Sequence, residues 1–479
     1  MNYETAMIKL RGEVCSGVKL GLQNIKNLME KLGNPQDKLK IIHIAGTNGK
    51  GSCTSFVNSV LVSQGYKVGM FTSPSIYNFE ERIRINNKNI PELLNLLAHN
   101  VGPTTDWLTD YVGVEYDLES GLHVLAEYRK DRELAYNHGG HGFAGAAREK
   151  VANSNVKLLL QTKAKELLQD EDGNVVGLIA REETGRKHII HAKSVILTTG
   201  GYGNNKQLLS KELGKVLFYG TKSSNGEGLM MATKEGVDAA TRMMEYGKIY
   251  PNGIEVSNGY AKSTIGGNIA VLKENGLLVN KFGKRVVNER ASNHDILDVL
   301  MKEQDQTLYI LLDQEHFEIF RREVAEGGIS SQDIDRWLES NGERTPHFYH
   351  AESLEKLAEL ANIPETSLKD TVEKYNSFVR DGEDKDFHRE ARFLQKEVGE
   401  GPYYLVEQKP RFATTMGGLV VNDTLEVVNK KGNIINGLYA AGEVVGGVMG
   451  TDSPSGANNA WALTSGKLAA ESIERKYEK

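Results

Sequence analysis

The sequence predicts an α/β protein, and three short stretches predict it. Each is an apolar run entering a glycine-rich turn: IIHIAGTNGKGS at 41–52, SVILTTGGYGNN at 194–205 and GLYAAGEVVGG at 437–447. Strands that end in glycine turns and are followed by helical periodicity are the pattern of strand–helix units around a sheet.

The elements follow in order. Residues 16–32 place Val18, Leu20, Ile25, Leu28 and Leu32 at helical spacing and stop at Gly33-Asn34-Pro35. A buried strand is expected at 41–45, a helix over 50–64 ending at Gly65, and a second strand in YKVGMFTSP. Together they read as a βαβ unit, whose crossover is expected to be right-handed between parallel strands. Gly102-Pro103 is a breaker pair and an expected boundary. Beyond it come a helix at 141–153, a strand at 156–160, a hairpin about Asp172-Gly173 and the strand of SVILTTGG. Polar helices are expected at 353–361 and 366–379, strands at 418–429 and a closing helix over 457–475. The chain then divides into segments 1–100, 101–246, 247–397 and 398–479, the third richer in polar helices.

Composition narrows the function classes. Of 479 residues, 39% are hydrophobic and 25% charged, as in an ordinary globular protein. A net charge of -6 leaves no basic footprint for nucleic acid, so a small-molecule substrate is expected. Two cysteines, Cys15 and Cys53, exclude a disulfide framework. The opening MNYETAMIKLRGEV has no apolar signal core, and no apolar run reaches 18 residues. A cytoplasmic protein without a membrane span is expected, its oligomeric state open.

Gly46, Thr47, Asn48, Gly49, Lys50, Gly51 and Ser52 form the first glycine turn. Glycines there let backbone N–H groups approach phosphate oxygens, and the following helix terminus adds positive partial charge. Lys50 would reach the outer phosphates and the Ser52 hydroxyl a magnesium ion. The strict phosphate-loop pattern is broken by Ile44 and Gly51, and a ligand-free turn is the alternative. Through HIAGTNGKGS and GYKVGMFTSPSIYNFEERIRINN, residues 1–95 resemble folylpolyglutamate synthase/dihydrofolate synthase, an ATP-dependent ligase related to the Mur ligases. The resemblance implies ATP in the loop and magnesium held by Ser52 and Ser73. Ser75 departs from it, and nothing of that family is recognisable after about residue 100.

From about Thr104 to the end, six motifs occur in order: SVILTTGGYGNN, NGEGLMMATKEG, GLLVNKFGKRVVNE, TTMGGLVVN, GLYAAGEVVGG and SGANNAWALTSGKLAAE. They resemble the flavoprotein subunits of the fumarate reductase/succinate dehydrogenase family. That resemblance implies FAD and hydride transfer at flavin N5. It implies backbone contacts at Ala164, Thr199, Gly200, Gly201 and Gly442, and an acid for the ribityl or ribose hydroxyls at Glu443. Asn458, Asn459 and Ala460 open a helix whose amides would face flavin N1 and O2.

Three departures qualify it. The family's own G-x-G-x-x-G unit is missing, with the ligase-like stretch in its place. The catalytic arginine falls at Asn293 or His294 within VVNERASNHD, with Arg290 displaced; His294 is either an acid or a solvated loop histidine. The carboxylate clamp is altered, with Tyr250 and Thr414 at histidine positions and no arginine in TDSPSGANN. A dicarboxylate needs strong donors to offset its desolvation, which argues for a neutral or monoanionic acceptor. His138 and His141 in NHGGHG are spaced as metal ligands but lack a third. The expected whole is a P-loop-like βαβ segment joined to an incomplete FAD-binding α/β domain with an inserted α+β capping domain. Three functions stay open: an FAD-dependent oxidoreductase, an ATP-binding ligase-like fragment, and a chimera inert in both.

Overall fold

The computed structural model describes residue 30 and residues 40–44, 50–64, 66, 68–71, 83–85, 91–117 and 135–478. The chain divides into two units, residues 1–88 and 89–479.

In the first unit the expected helix forms at Lys50–Ser63. The expected parallel βαβ arrangement does not. Residues 41–44 are not a strand, and Ile41 and Ile42 are 70% and 62% exposed. The strand Gly69–Phe71 pairs antiparallel with Ile83–Ile85, Gly69 opposite Ile85. A parallel strand is normally covered on both faces, and β-branched residues without that cover do not make one. The helix expected at 16–32, loop residues Gly46 to Gly49 and Ser73 lie outside the described residues.

The second unit opens with the helix Pro91–Trp107, which runs through the Gly102-Pro103 pair expected to break it. Both residues face solvent, while Leu93, Leu97, Thr104 and Leu108 are buried on the other side. The carbonyl that Pro103 deprives of a donor is therefore left to water, and burial of the apolar stripe holds the helix. The parallel core is the pair Val195–Leu197 and Ile434–Ala440, Leu438 opposite Val195. Glu426–Val428 adds antiparallel to the outer side. Leu197, Leu438 and Ala440 join one apolar core with Trp461 and Leu468 of the helix Ala457–Tyr477 and with Leu93 and Leu97.

The strand expected at 156–160 forms instead at Thr162–Gln169, paired antiparallel with Val175–Glu182 about the predicted hairpin turn. Val156, Leu158 and Leu160 stay more than 60% exposed, so apolarity without a partner made no strand there.

A seven-stranded sheet, built from strands between residues 217 and 415, forms the rest. Its long strand Tyr403–Thr415 pairs with Gly247–Ser257, Leu308–Leu312 and Phe348–Ala351. Alternation along LYILL, residues 308–312, sends Ile310 and Leu312 to one core and Tyr309 and Leu311 to another. Helices Gln314–Glu323 and Ser331–Ser340 cover the first face. Helices Leu354–Leu360 and Glu365–Asp381 cover the second, close to the two polar helices expected there. Side-chain caps at Asp313, Ser330 and Ser353 satisfy first-turn amides of three of these helices, and Ser292 does the same for the helix Asn293–Leu300.

Candidate functional site

The two parallel strands end on the same edge, and each end turns on a glycine in the left-handed region. Gly200 has φ 72° and Gly442 φ 76°, a conformation that side-chain-bearing residues rarely adopt. A Cβ on Gly200 would meet nothing within 4 Å, and Thr198 and Thr199 are exposed although Leu197 is buried. The carboxyl edge of a parallel sheet is where ligands of such folds sit.

Gly201 lies against the next segment more tightly. A Cβ there would stand 2.1 Å from Glu443 Oε1 and 2.3 Å from Thr415 Oγ1. The Thr415 amide donates to Glu443 Oε1 at 2.8 Å and its hydroxyl to the same oxygen at 3.0 Å. The Gly201 amide adds a further donor. Burial raises the Glu443 carboxyl pKa, and these donors pull against it. One oxygen is thus held by the protein.

The helix Ala457–Tyr477 packs its second and third turns against Gly442. The Ser465 hydroxyl accepts from the Gly442 amide at 2.9 Å, and the Trp461 indole donates to the Gly442 carbonyl at 3.1 Å. Its N-cap is Gly456, without a side-chain cap, so the first-turn amides at Asn458 and Asn459 point outward with the helix dipole behind them. Asn458 Nδ2 donates to Ser453 Oγ at 2.9 Å, which pins the preceding loop. Ala164 sits on Thr162–Gln169 opposite Ala180 and packs on the core containing Leu197 and Ala440. Thr199, Gly200, Gly201, Gly442, Glu443 and Asn458 to Ala460 are therefore brought together by this edge. An uncapped helix terminus, an open glycine end and a buried acid suit a negatively charged dinucleotide, so the residues present fit FAD.

The other expected residues are placed elsewhere. His294 is exposed on the helix Asn293–Leu300, its Nε2 4.0 Å from Asp298. Arg290 is half-buried with its guanidinium 4.6 Å from the Phe393 ring centre; burial and nearby Arg389 lower its pKa. His138 and His141 face solvent at the start of the helix Gly139–Ala152. No group of three or more His, Cys, Asp or Glu that could hold a metal ion occurs among the described residues. Lys50, Gly51 and Ser52 open the helix Lys50–Ser63.

Motif reading missed Arg411, on the strand Tyr403–Thr415 and only 5% exposed. A lone arginine in KPRFATT gives no sequence signal; its burial does.

Comparison with known proteins identifies the family. The chain matches the FAD binding domain family over residues 82–459, which carries the flavoprotein resemblance upstream of the expected start near 104. It is 28% identical over 396 residues to a fumarate reductase (cytochrome) of Shewanella frigidimarina, covering 82% of this chain and 64% of that one. It is 29% identical over 390 residues to an NADH:acrylate oxidoreductase of Vibrio harveyi, covering 80% and 36%. Its fold is similar to the open conformation of a flavocytochrome c3 fumarate reductase, with a TM-score of 0.64 at 24% identity over 81% of this chain and 64% of that one. The chain spans less than two thirds of the length of these relatives. Among the described residues no helix is long and apolar enough to cross a membrane. With the match extending over most of its length, the chain belongs to the FAD binding domain family, the flavoproteins that include the fumarate reductases.

Proposed function

We propose that this chain is an FAD-dependent oxidoreductase that reduces the carbon–carbon double bond of a small unsaturated acceptor. Support comes first from the convergence of Gly200, Gly201, Gly442 and the uncapped helix end at Gly456 on one sheet edge. FAD, when bound, supplies a hydride at N5. The chain's part is to hold negative charge at the Asn458 and Asn459 amides, the Ala460 amide being donated to the Gly456 carbonyl at 2.9 Å, and a hydroxyl at Glu443. Segment 247–397 acts as a cap that excludes water from the acceptor. Arg290, half-buried and without an ion pair among the described residues, suits proton delivery better than exposed His294.

Fumarate is disfavoured as the acceptor. Tyr250 and Thr414 stand where the resemblance calls for histidines, so a second carboxylate would lose two of the donors that offset its desolvation. A monocarboxylate such as acrylate, named for one relative, suits the site better.

The test is to load the chain with FAD, desalt, reduce it without oxygen, and add fumarate, acrylate or the neutral amide of acrylate. Reoxidation by acrylate well ahead of fumarate is the expected result. A folded protein that keeps no flavin would sink the reading and leave a chimera inert in flavin chemistry. A second reading, in which residues 1–95 hold ATP and magnesium through Lys50, Ser52 and Ser73, draws on the helix that starts at Lys50 and on the family match beginning only at residue 82. Protection of Lys50 from modification by ATP is its test.

A further inference from the structure

Arg411 is a buried cation with no acid beside it. Its Nε donates to Asn252 Oδ1 at 2.9 Å, and it makes no ion pair among the described residues. The nearest acid along its own strand, Glu407, accepts from the Glu255 amide at 2.9 Å and lies 3.8 Å from Lys409. Buried charges are normally paired, because desolvating one alone is costly. Two rings frame the guanidinium instead: Tyr219 with its centre at 4.5 Å and Tyr250 at 4.8 Å. Burial lowers the pKa to about 10, which still leaves the group charged at neutral pH.

The position is continuous with the sheet edge described above. Arg411 and Thr415 are four residues apart on one strand, about 13 Å along it, with a register shift against Gly247–Ile249 between them. The Tyr250 ring also receives Lys248, whose Nζ is 4.9 Å from its centre. Lys248 is ion-paired with Asp452, four residues before the N-cap of the helix Ala457–Tyr477. The chain of contacts therefore runs from Arg411 through Tyr250 and Lys248 to the loop that precedes the flavin-facing amides. Lys248 is neutralised by Asp452; of these two cations Arg411 has no ion pair among the described residues.

We propose that Arg411 anchors the single carboxylate of the acceptor, with Tyr219 and Tyr250 flanking the acceptor's planar body. This rests on the reductase reading and narrows its substrate class to unsaturated monocarboxylates. Arg411 forms charge-assisted bonds through its two terminal nitrogens, while Asn252 holds Nε and fixes the fork. One cation matches one carboxylate; a second carboxylate would be desolvated without a partner.

The experiment is calorimetric titration of the full chain, in the presence of FAD, with propionate and with propanamide, its neutral isostere. Neither ligand is reducible, so binding is read apart from turnover. Propionate is expected to bind at least about 30-fold more tightly than propanamide, and Arg411→Met to weaken propionate by about 100-fold while leaving propanamide unchanged. Arg411→Lys should recover part of the loss, since it restores charge without the fork. Equal binding of the two ligands to the unaltered chain overturns the proposal, as does propionate binding that survives Arg411→Met. Should Arg411→Met not fold, the propionate-to-propanamide ratio in the unaltered chain and in Arg411→Lys decides. Propionate binding with no reoxidation of reduced flavin by an unsaturated monocarboxylate would sink the reductase reading alone and leave the anchor standing.

Discussion

Gly201 and Glu443 show how much one side chain decides at this edge. A methyl group on Gly201 would press on Glu443 Oε1 at 2.1 Å and on Thr415 Oγ1 at 2.3 Å, and both are already engaged with each other. Gly201→Ala is expected to lower stability by about 1–3 kcal/mol, as overpacking does, and to weaken flavin retention, read by denaturant unfolding and by absorbance after desalting. Glu443→Ala strips the acceptor from the Thr415 amide and hydroxyl. It should raise the dissociation constant for FAD about tenfold or more, measured by fluorescence titration, while Glu443→Gln keeps an acceptor oxygen and loses less. The acid was legible in GLYAAGEVVGG through the resemblance that this motif carries. Arg411 was not, since nothing local separates a buried unpaired arginine from a surface one.

At the scale of elements, partners decided what local pattern left open. Ile310 is fully buried between the long strand and the helix Gln314–Glu323. Ile310→Ala should cost about 2–5 kcal/mol in chemical denaturation, the range for a large core cavity. That helix is capped by Asp313, whose carboxylate takes the His316 ring at 2.7 Å, the His316 amide at 3.0 Å and the Gly399 amide at 2.9 Å. Burial opposes ionisation of Asp313, yet these bonds outweigh it and bring its pKa down to about 2. Burial likewise opposes the charged imidazole of His316, and its bonds to Asp313 and to Glu274 at 3.0 Å outweigh that too, raising its pKa. A lowered acid stabilises the fold above its unfolded pKa of about 4 and loses that contribution as pH falls toward 2. A raised histidine stabilises it below its unfolded pKa of about 6.5 and loses that contribution as pH rises through the folded value. Stability should therefore be greatest between pH 4 and 6.5 as far as this pair contributes. His316→Asn should flatten the alkaline side of the melting-temperature profile. The Gly102-Pro103 pair makes the complementary point: both residues face water, so packing of Leu93 and Leu97 outweighed two helix breakers.

For the whole molecule, ligand-linked stability separates the two cofactors that the motifs suggested. FAD at a hundredfold excess over its dissociation constant should stabilise the fold by about 2.7 kcal/mol, seen as a rise in melting temperature. ATP with magnesium should give no comparable rise in the transition of residues 89–479. The glycine ends and the closing helix could be read from residues alone, because each rests on a local requirement of φ or periodicity. The family could be read as well, from six motifs in order. What had to wait for the folded chain was pairing and burial. Residues 41–44 have the composition of a buried strand, yet Ile41 and Ile42 are exposed, and the strand expected at 156–160 formed six residues later, where it had a partner. Arg411 became a candidate only when the sheet buried it between two tyrosines with no acid in reach. Local sequence specifies what a segment can form; which surfaces are covered, and which charges are left alone beneath them, depends on contacts between residues far apart in the chain.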